Sequence, residues 1–354
     1  MVTPTHKTPH WRDGVLVARL ILFILAPLLI LVSLAPSRST KTGKPQVLRQ
    51  EADDDVYSAT PMCSAWGVCG ETPHVPSPRT IYSAKSRAQY ELWWEAHAKL
   101  NASAAEYVAH RRDSNKSSLK PPLVLLGDSI TEEWLGTNMG LPDKRWRKIP
   151  NILREVFLPA YDSLVLAIGG DQTQHLLWRM QHGELSLLLP EVAQDDSAVF
   201  VVLIGTNNLG SGHLPFETHL GVMAVAEYVL QHTAGRLLLL QVLPRGDIFR
   251  LRPLCPPRCS SRSGAPFRSF MPAVAKLNQG IRDAAPDLSK KYSQRLSLLD
   301  CGPSFVPAHA GECSSGRGNS CEVEESLMPD FLHPNELGQR LLARCIMEFL
   351  GGRK

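Results

Sequence analysis

The chain is predicted to be an α/β protein, a three-layer α/β/α sandwich around a five-stranded, mainly parallel sheet. Three observations carry that expectation. Short continuous apolar runs recur at Leu123–Leu126, Leu164–Ile168, Val199–Ile204, Leu237–Leu243 and Leu296–Leu299, the pattern of strands covered on both faces. Helix-compatible stretches lie between them, at 145–157, 175–182, 216–232 and 271–285, with a last one at 335–349. Such alternation implies parallel strands joined by crossovers. Finally, the first three runs each lead into a small polar block: Gly127-Asp128-Ser129, Gly169-Gly170-Asp171 and Gly205-Thr206-Asn207-Asn208. Open parallel sheets bind ligands beyond the carboxyl ends of their strands, so the three blocks should meet in one site.

The first hundred residues stand outside this alternation. Val15 to Leu34 is an apolar run with one charge, Arg19, and one proline, Pro27, long enough to span a bilayer as a helix. Lys7 and Arg12 precede it, and Arg38, Lys41 and Lys44 follow it, so flanking charge does not set its orientation. Pro36 disfavours cleavage after Ala35, and the run is longer than a usual signal core. Residues 1–35 are therefore expected to be a cytosolic tail and an uncleaved signal-anchor, with a cleaved signal peptide as the alternative. The corresponding location is the membrane of the secretory pathway, with the catalytic domain luminal or extracellular; the alternative is secretion. Residues 36–82, rich in Pro, Ser and Thr with an acidic patch at Glu51 to Asp55, are expected to form a flexible tether. The domain proper is placed at 83–354. It opens with a docked helix over Ser83–His110, on which Tyr90, Trp93, Trp94, His97, Leu100 and Tyr107 recur near helical spacing, and its catalytic core starts near Lys120.

Composition bounds the function. At 354 residues, 44% hydrophobic and 20% charged, the chain can bury one sizeable core. The net charge of +4 is small for this length, and no dense basic run beside aromatics is read from it, so nucleic acid is not an expected partner. Eight cysteines, at 63, 69, 255, 259, 301, 313, 321 and 345, sit mostly in loop-like sequence and suggest disulfides made in an oxidising lumen. A zinc site is the rival, but no second matched Cys or His pair completes a ligand set, so no metal is expected. Asn101-Ala102-Ser103 and Asn115-Lys116-Ser117 are glycosylation sequons. The stretches 245–270 and 301–325, rich in Pro, Arg, Ser, Gly and Cys, read as loop insertions, either a disulfide-pinned rim that shapes the substrate entrance or a surface remote from it.

The polar blocks supply acyl-transfer equipment. Ser129, at a strand-to-helix junction, is the candidate nucleophile, and its own amide lies at a helix start. His333, in Asp330-Phe331-Leu332-His333-Pro334, is the candidate base, and Asp330 can hold its other nitrogen. Gly170 offers an unshielded amide and Asn207 a side-chain amide, which with the Ser129 amide would make a three-donor oxyanion hole. Each residue also has a plain structural role: a helix cap for Ser129 and Asp330, a tight turn for Gly170, an Asx-turn for Asn207. Asp128, Thr206 and Asn208 are expected to brace loops, His175 to be structural, and Trp178 and Arg179 to pack a helix. Ser129 is not in a Gly-x-Ser-x-Gly elbow.

These blocks, in this order, resemble the SGNH (GDSL-type) hydrolase family. Ile168-Gly169-Gly170-Asp171-Gln172-Thr173-Gln174-His175-Leu176-Leu177-Trp178-Arg179 and Ile204-Gly205-Thr206-Asn207-Asn208 point within it to the platelet-activating-factor acetylhydrolase catalytic-subunit-like branch. The resemblance covers roughly the C-terminal two thirds of the chain. It implies a flavodoxin-like fold, a Ser129/His333/Asp330 triad, an oxyanion hole of Ser129, Gly170 and Asn207, and no cofactor. The implied partner is an ester with a short acyl group, acetyl first, on a lipid or carbohydrate. An acyltransferase using the same residues, or a silent binding protein, are the alternatives. The membrane segment and the Cys-rich insertions depart from the soluble acetylhydrolase subunits, which leaves substrate and oligomeric state open.

Overall fold

The computed structural model describes residues 70–352, apart from 82, 85, 115–118, 190 and 308–322. The expected membrane segment, most of the tether, Cys63, Cys69, Cys313, Cys321 and the Asn115 sequon lie outside the described residues. Among those described, no helix is long and apolar enough to cross a membrane.

Five parallel strands form the sheet: β1 (Pro122–Gly127), β2 (Asp162–Ala167), β3 (Val199–Leu203), β4 (Arg236–Leu240) and β5 (Leu296–Leu299), in the order β2-β1-β3-β4-β5. Alternate residues of each strand enter different cores because side chains along a strand point to opposite faces. Val124 and Leu126 of β1 join Phe200 and Val202 of β3 beneath four helices: α1 (Arg87–Asp113), α2 (Thr173–Arg179), α3 (Pro215–His232) and α4 (Met271–Lys291). Leu123, Leu125, Val199 and Val201 face the other way, onto α5 (Glu336–Gly351) and the short segment Ile149–Phe157. The result is the expected three-layer sandwich. The chain moves one way from β1 to β2 and then back past β1 to β3 on its other side, so a crevice opens where the order reverses.

Most element ends follow local chemistry. Asn335 accepts hydrogen bonds from the Leu337 and Gly338 amides at 3.0 and 3.1 Å and so starts α5. β4 stops at Leu240 although the apolar run continues to Leu243, because Val242 exchanges both backbone bonds with the Asn278 side chain of α4, each at 2.9 Å. Helix α4 runs six residues past the expected end at Ala285, through an exposed Pro286. The helix expected at 145–157 is broken: only Ile149–Ile152 is α-helical, followed by one wide turn to Phe157.

Two other expectations change. Residues 70–81, assigned to the tether, are anchored on the domain: Thr173 Oγ1 donates to the Pro73 carbonyl at 2.8 Å, the Ser77 amide donates to the Gln174 carbonyl at 3.2 Å, and Arg79 is buried. Asn101 is a poor glycan acceptor. Its amide nitrogen lies 3.3 Å from His97 Nε2, its oxygen is buried, and Gly183 packs directly against it. Cys345 sits in α5, the helix expected there, and its disulfide to Cys301 ties that helix to the end of β5, while Cys255–Cys259 closes a local turn in the insertion after β4.

Candidate active site

Asp128 ends β1 by accepting the Ile130 amide at 3.1 Å, which starts the helical turn Ser129–Glu132 and sets Ser129 at the sheet's carboxyl edge. Ser129 is nearly buried. Its Oγ lies 2.9 Å from His333 Nε2. His333 Nδ1 lies 2.7 Å from Asp330 Oδ2, and Asp330 Oδ1 accepts the His333 amide at 2.7 Å and the Leu332 amide at 3.1 Å. Partial burial would raise the Asp330 pKa, but the bonds from His333 and the two amides lower it to about 2. Asp330 therefore stays ionised and holds the imidazole with Nδ1 protonated and Nε2 facing the hydroxyl. Trp146 backs the imidazole, with ring centroids 5.7 Å apart.

The Gly169-Gly170 turn after β2 brings a second group of donors. Gly170 has φ of 79°, a conformation that favours glycine, and a Cβ there would lie 2.7 Å from Arg79 Nη2 and push that side-chain tip aside. Asn207 follows β3 on the turn Thr206–Gly210, and its Nδ2 donates one hydrogen to the Asp171 carbonyl at 2.9 Å. The second hydrogen of that amide stays available. Neither the Ser129 nor the Gly170 amide donates to another group among the described residues. Ser129, Gly170, Asn207 and His333 all line one cavity of about 240 Å³. The five residues singled out from sequence are thus brought together, with Asp330 behind His333.

A buried charge cluster holds the turn in place. Asp171 accepts from Trp93 Nε1 and Arg179 Nε, both at 2.7 Å; Arg179 also pairs with Glu184, and its Nη2 reaches the Gly127 carbonyl at 3.4 Å. Removing one member would strand a buried charge, which is why this network fixes geometry more than it adds stability. His175 accepts the Gln172 amide on Nδ1 at 3.1 Å, so its Nε2 donates to Glu71 at 2.7 Å. Burial raises the Glu71 pKa, yet bonds from His175 and Gln174 bring it to about 2. Asn208 is structural: it accepts the Thr173 amide at 3.0 Å and donates to Thr173 Oγ1 and Gln174 Oε1 at 3.1 Å. Thr206 is held by Arg245, whose Nη1 reaches its carbonyl at 2.6 Å.

Sequence reasoning passed over several contributors. Glu132 is buried and its carboxylate accepts four bonds, from the Gly169, Met139 and Gly140 amides and Thr137 Oγ1, at 2.6 to 2.9 Å. It clamps the Ser129 turn to the Gly170 turn. Arg79 of the N-terminal strap donates to the Gly169 carbonyl at 3.3 Å and lines the cavity. The run Lys144-Arg145-Trp146-Arg147-Lys148 is a dense basic stretch around an aromatic, contrary to the expectation that none exists. Its Trp146 is 4% exposed against His333, so it presents no stacking platform for bases.

The fold, the switch-point crevice and this constellation define an acylhydrolase. A family model described as GDSL-like Lipase/Acylhydrolase family matches residues 125–341, and the chain belongs to that family. It is 32% identical over 242 residues to platelet-activating factor acetylhydrolase IB subunit alpha1 of Pongo abelii, covering 68% of this chain and 80% of that protein. The alpha2 subunit of Rattus norvegicus is 35% identical over 200 residues, 56% of this chain and 68% of that one. Among solved structures, a GDSL-like lipase of Bacteroides thetaiotaomicron is similar over 71% of this chain and 100% of its own, at 16% identity and a TM-score of 0.44.

Proposed function

We propose that the protein is a serine esterase that removes a short acyl group, acetyl above all, through an acyl-enzyme on Ser129. The observation that carries this reading is the continuous relay from Asp330 through His333 to Ser129 Oγ, opening into a cavity of about 240 Å³. His333 Nε2 takes the hydroxyl proton as Oγ bonds to the ester carbonyl carbon. The oxyanion is met by the Ser129 and Gly170 amides and by the free N–H of Asn207. Collapse breaks the bond to the alcohol oxygen, which leaves with the proton from His333. Water then repeats the cycle on the acyl-serine, with His333 again as base. The small cavity favours a short acyl chain, and acetyl is the group named for the acetylhydrolase relatives.

The test is a series of nitrophenyl esters from acetyl to octanoyl, hydrolysed by the whole protein. The expected result is a kcat/KM highest for acetyl and falling with chain length. A preference for long chains would refute the short-acyl assignment. Acceptor-dependent turnover would favour acyl transfer to a sugar or lipid hydroxyl.

We further propose that this domain is held at a membrane of the secretory pathway, on its luminal or extracellular side. The apolar run Val15–Leu34 and the pairing of all four described cysteines support that placement. Protease protection of the domain in sealed microsomes is expected; full accessibility without detergent would refute it.

A further inference from the structure

The wall of the Ser129 cavity contains four arginines, Arg79, Arg145, Arg245 and Arg250, and no carboxylate. Three of them are engaged by the protein itself. Arg79 bonds the Gly169 carbonyl and lies 3.7 Å from Asp171. Arg245 pairs with Asp247 through Nε and Nη2, at 2.5 and 2.8 Å. Arg145 pairs with Asp143 at 2.7 Å, although its side chain remains 57% exposed. Arg250 differs in that, among the described residues, its guanidinium meets no carboxylate; its Nε, like that of Arg79, is buried without a hydrogen-bond partner, and its only ring contact is Phe249 at 5.6 Å. A guanidinium nitrogen removed from water with no acceptor is costly, and an anionic ligand would supply the acceptor. The positive surface also continues outward. Arg145 forms part of a neighbouring groove of about 600 Å³, whose wall holds Lys144, Arg147, Lys148 and Arg340 against one carboxylate, Glu336.

We propose that the alcohol portion of the natural ester carries an anionic group, a carboxylate or a phosphate, which Arg250 receives with help from Arg145. The proposal rests on the esterase reading and names its substrate class. A neutral ester leaves the Arg250 fork unmatched, whereas a carboxylate or phosphate can accept two parallel bonds from it. Arg250 lies in the insertion after β4 that the Cys255–Cys259 disulfide closes, so this loop sets specificity while the sheet ends carry the chemistry.

The experiment uses two matched pairs of acetyl esters: acetylated glucuronic acid against acetylated glucose, and acetylglycerol phosphate against acetylglycerol. At low ionic strength, kcat/KM for the anionic member should exceed the neutral one by about tenfold or more in at least one pair. Added salt should shrink that ratio. Arg250→Gln should reduce the ratio by about tenfold, and Arg250→Lys, which keeps the charge but loses the fork, should restore part of it. The pair with the larger ratio identifies the source as acidic sugar or phosphate. A ratio near or below one in both pairs, or a ratio unchanged in Arg250→Gln, overturns the proposal. Direct titration of the Ser129→Ala protein with glucuronate and glycerol phosphate separates this from the esterase reading. If wild type hydrolyses no ester, that reading falls, while weaker anion binding by the Ser129→Ala/Arg250→Gln protein still supports the cation site and equal binding refutes it.

Discussion

Adjacent asparagines provide a sharp perturbation, because the structure gives Asn207 and Asn208 different surroundings. Asn207 spends one amide hydrogen on the Asp171 carbonyl and leaves the other facing the cavity. In Asn207→Ala one oxyanion donor is lost, worth about 2.7–4 kcal/mol, or roughly a hundred- to thousandfold in kcat. KM should move only a few-fold, since the donor meets charge that exists only in the tetrahedral state. The lost bond to Asp171 costs about 1 kcal/mol of stability, a fall in Tm of roughly 2–4 °C. Asn208 is fully buried and makes three bonds to the start of α2. Asn208→Ala strands the Thr173 amide and takes one donor each from Thr173 Oγ1 and Gln174 Oε1, so it should cost about 2–3 kcal/mol of stability. Its kcat, measured on the folded fraction, should stay within a few-fold of wild type. The assay pairs urea or thermal unfolding with steady-state hydrolysis of an acetyl ester. If both variants lose activity and stability alike, or if Asn207→Ala raises KM with kcat intact, the assignment of the oxyanion donor is wrong.

Other outcomes rest on the same geometry. His333→Ala should lower kcat by about a thousandfold or more, and Asp330→Asn by a similar or smaller factor, because it only orients the imidazole; near-normal turnover by His333→Ala would remove it as the base. Burial, with Asp171 nearby, lifts the Asp128 pKa to about 7. The folded state then retains a proton between about pH 4 and 7 that the unfolded chain releases, so stability falls as pH rises through that window, by on the order of 4 kcal/mol. Asp128→Asn should gain stability over wild type between about pH 5 and pH 8 in denaturant unfolding; parallel pH profiles would contradict this. Mass mapping of unreduced protein should link Cys255 to Cys259 and Cys301 to Cys345; free thiols at these positions would argue against an oxidising compartment.

The sheet and the residues that converge on the candidate site were legible in the sequence because both are local signals. An apolar run ending in a Gly-rich or Asn-rich block declares a buried strand and its functional end together. Asp330 and His333 declare themselves by sitting three residues apart. What stayed hidden depends on partners distant along the chain. Glu71 and Arg79 look like polar tether until His175 and Asp171, about a hundred residues on, are brought beside them. Glu132 is one carboxylate among many, and its role rests on the Gly169 amide that β2 delivers. Trp146 fell within the helix expected at 145–157, whereas the chain folds there into turns that press the indole onto His333 and leave four cations outside. The Asn101 sequon is formally intact, and only packing against Gly183 and His97 shows that it is occluded.

The central claim is that Ser129 carries the acyl group. Incubation of the intact protein with a fluorophosphonate, followed by peptide mass mapping, tests it most directly. A single adduct on the Ser129 peptide, with parallel loss of acetyl-ester hydrolysis and no labelling in Ser129→Ala, is the predicted result. Full hydrolysis by Ser129→Ala, or an inactivating adduct on another residue, would contradict it.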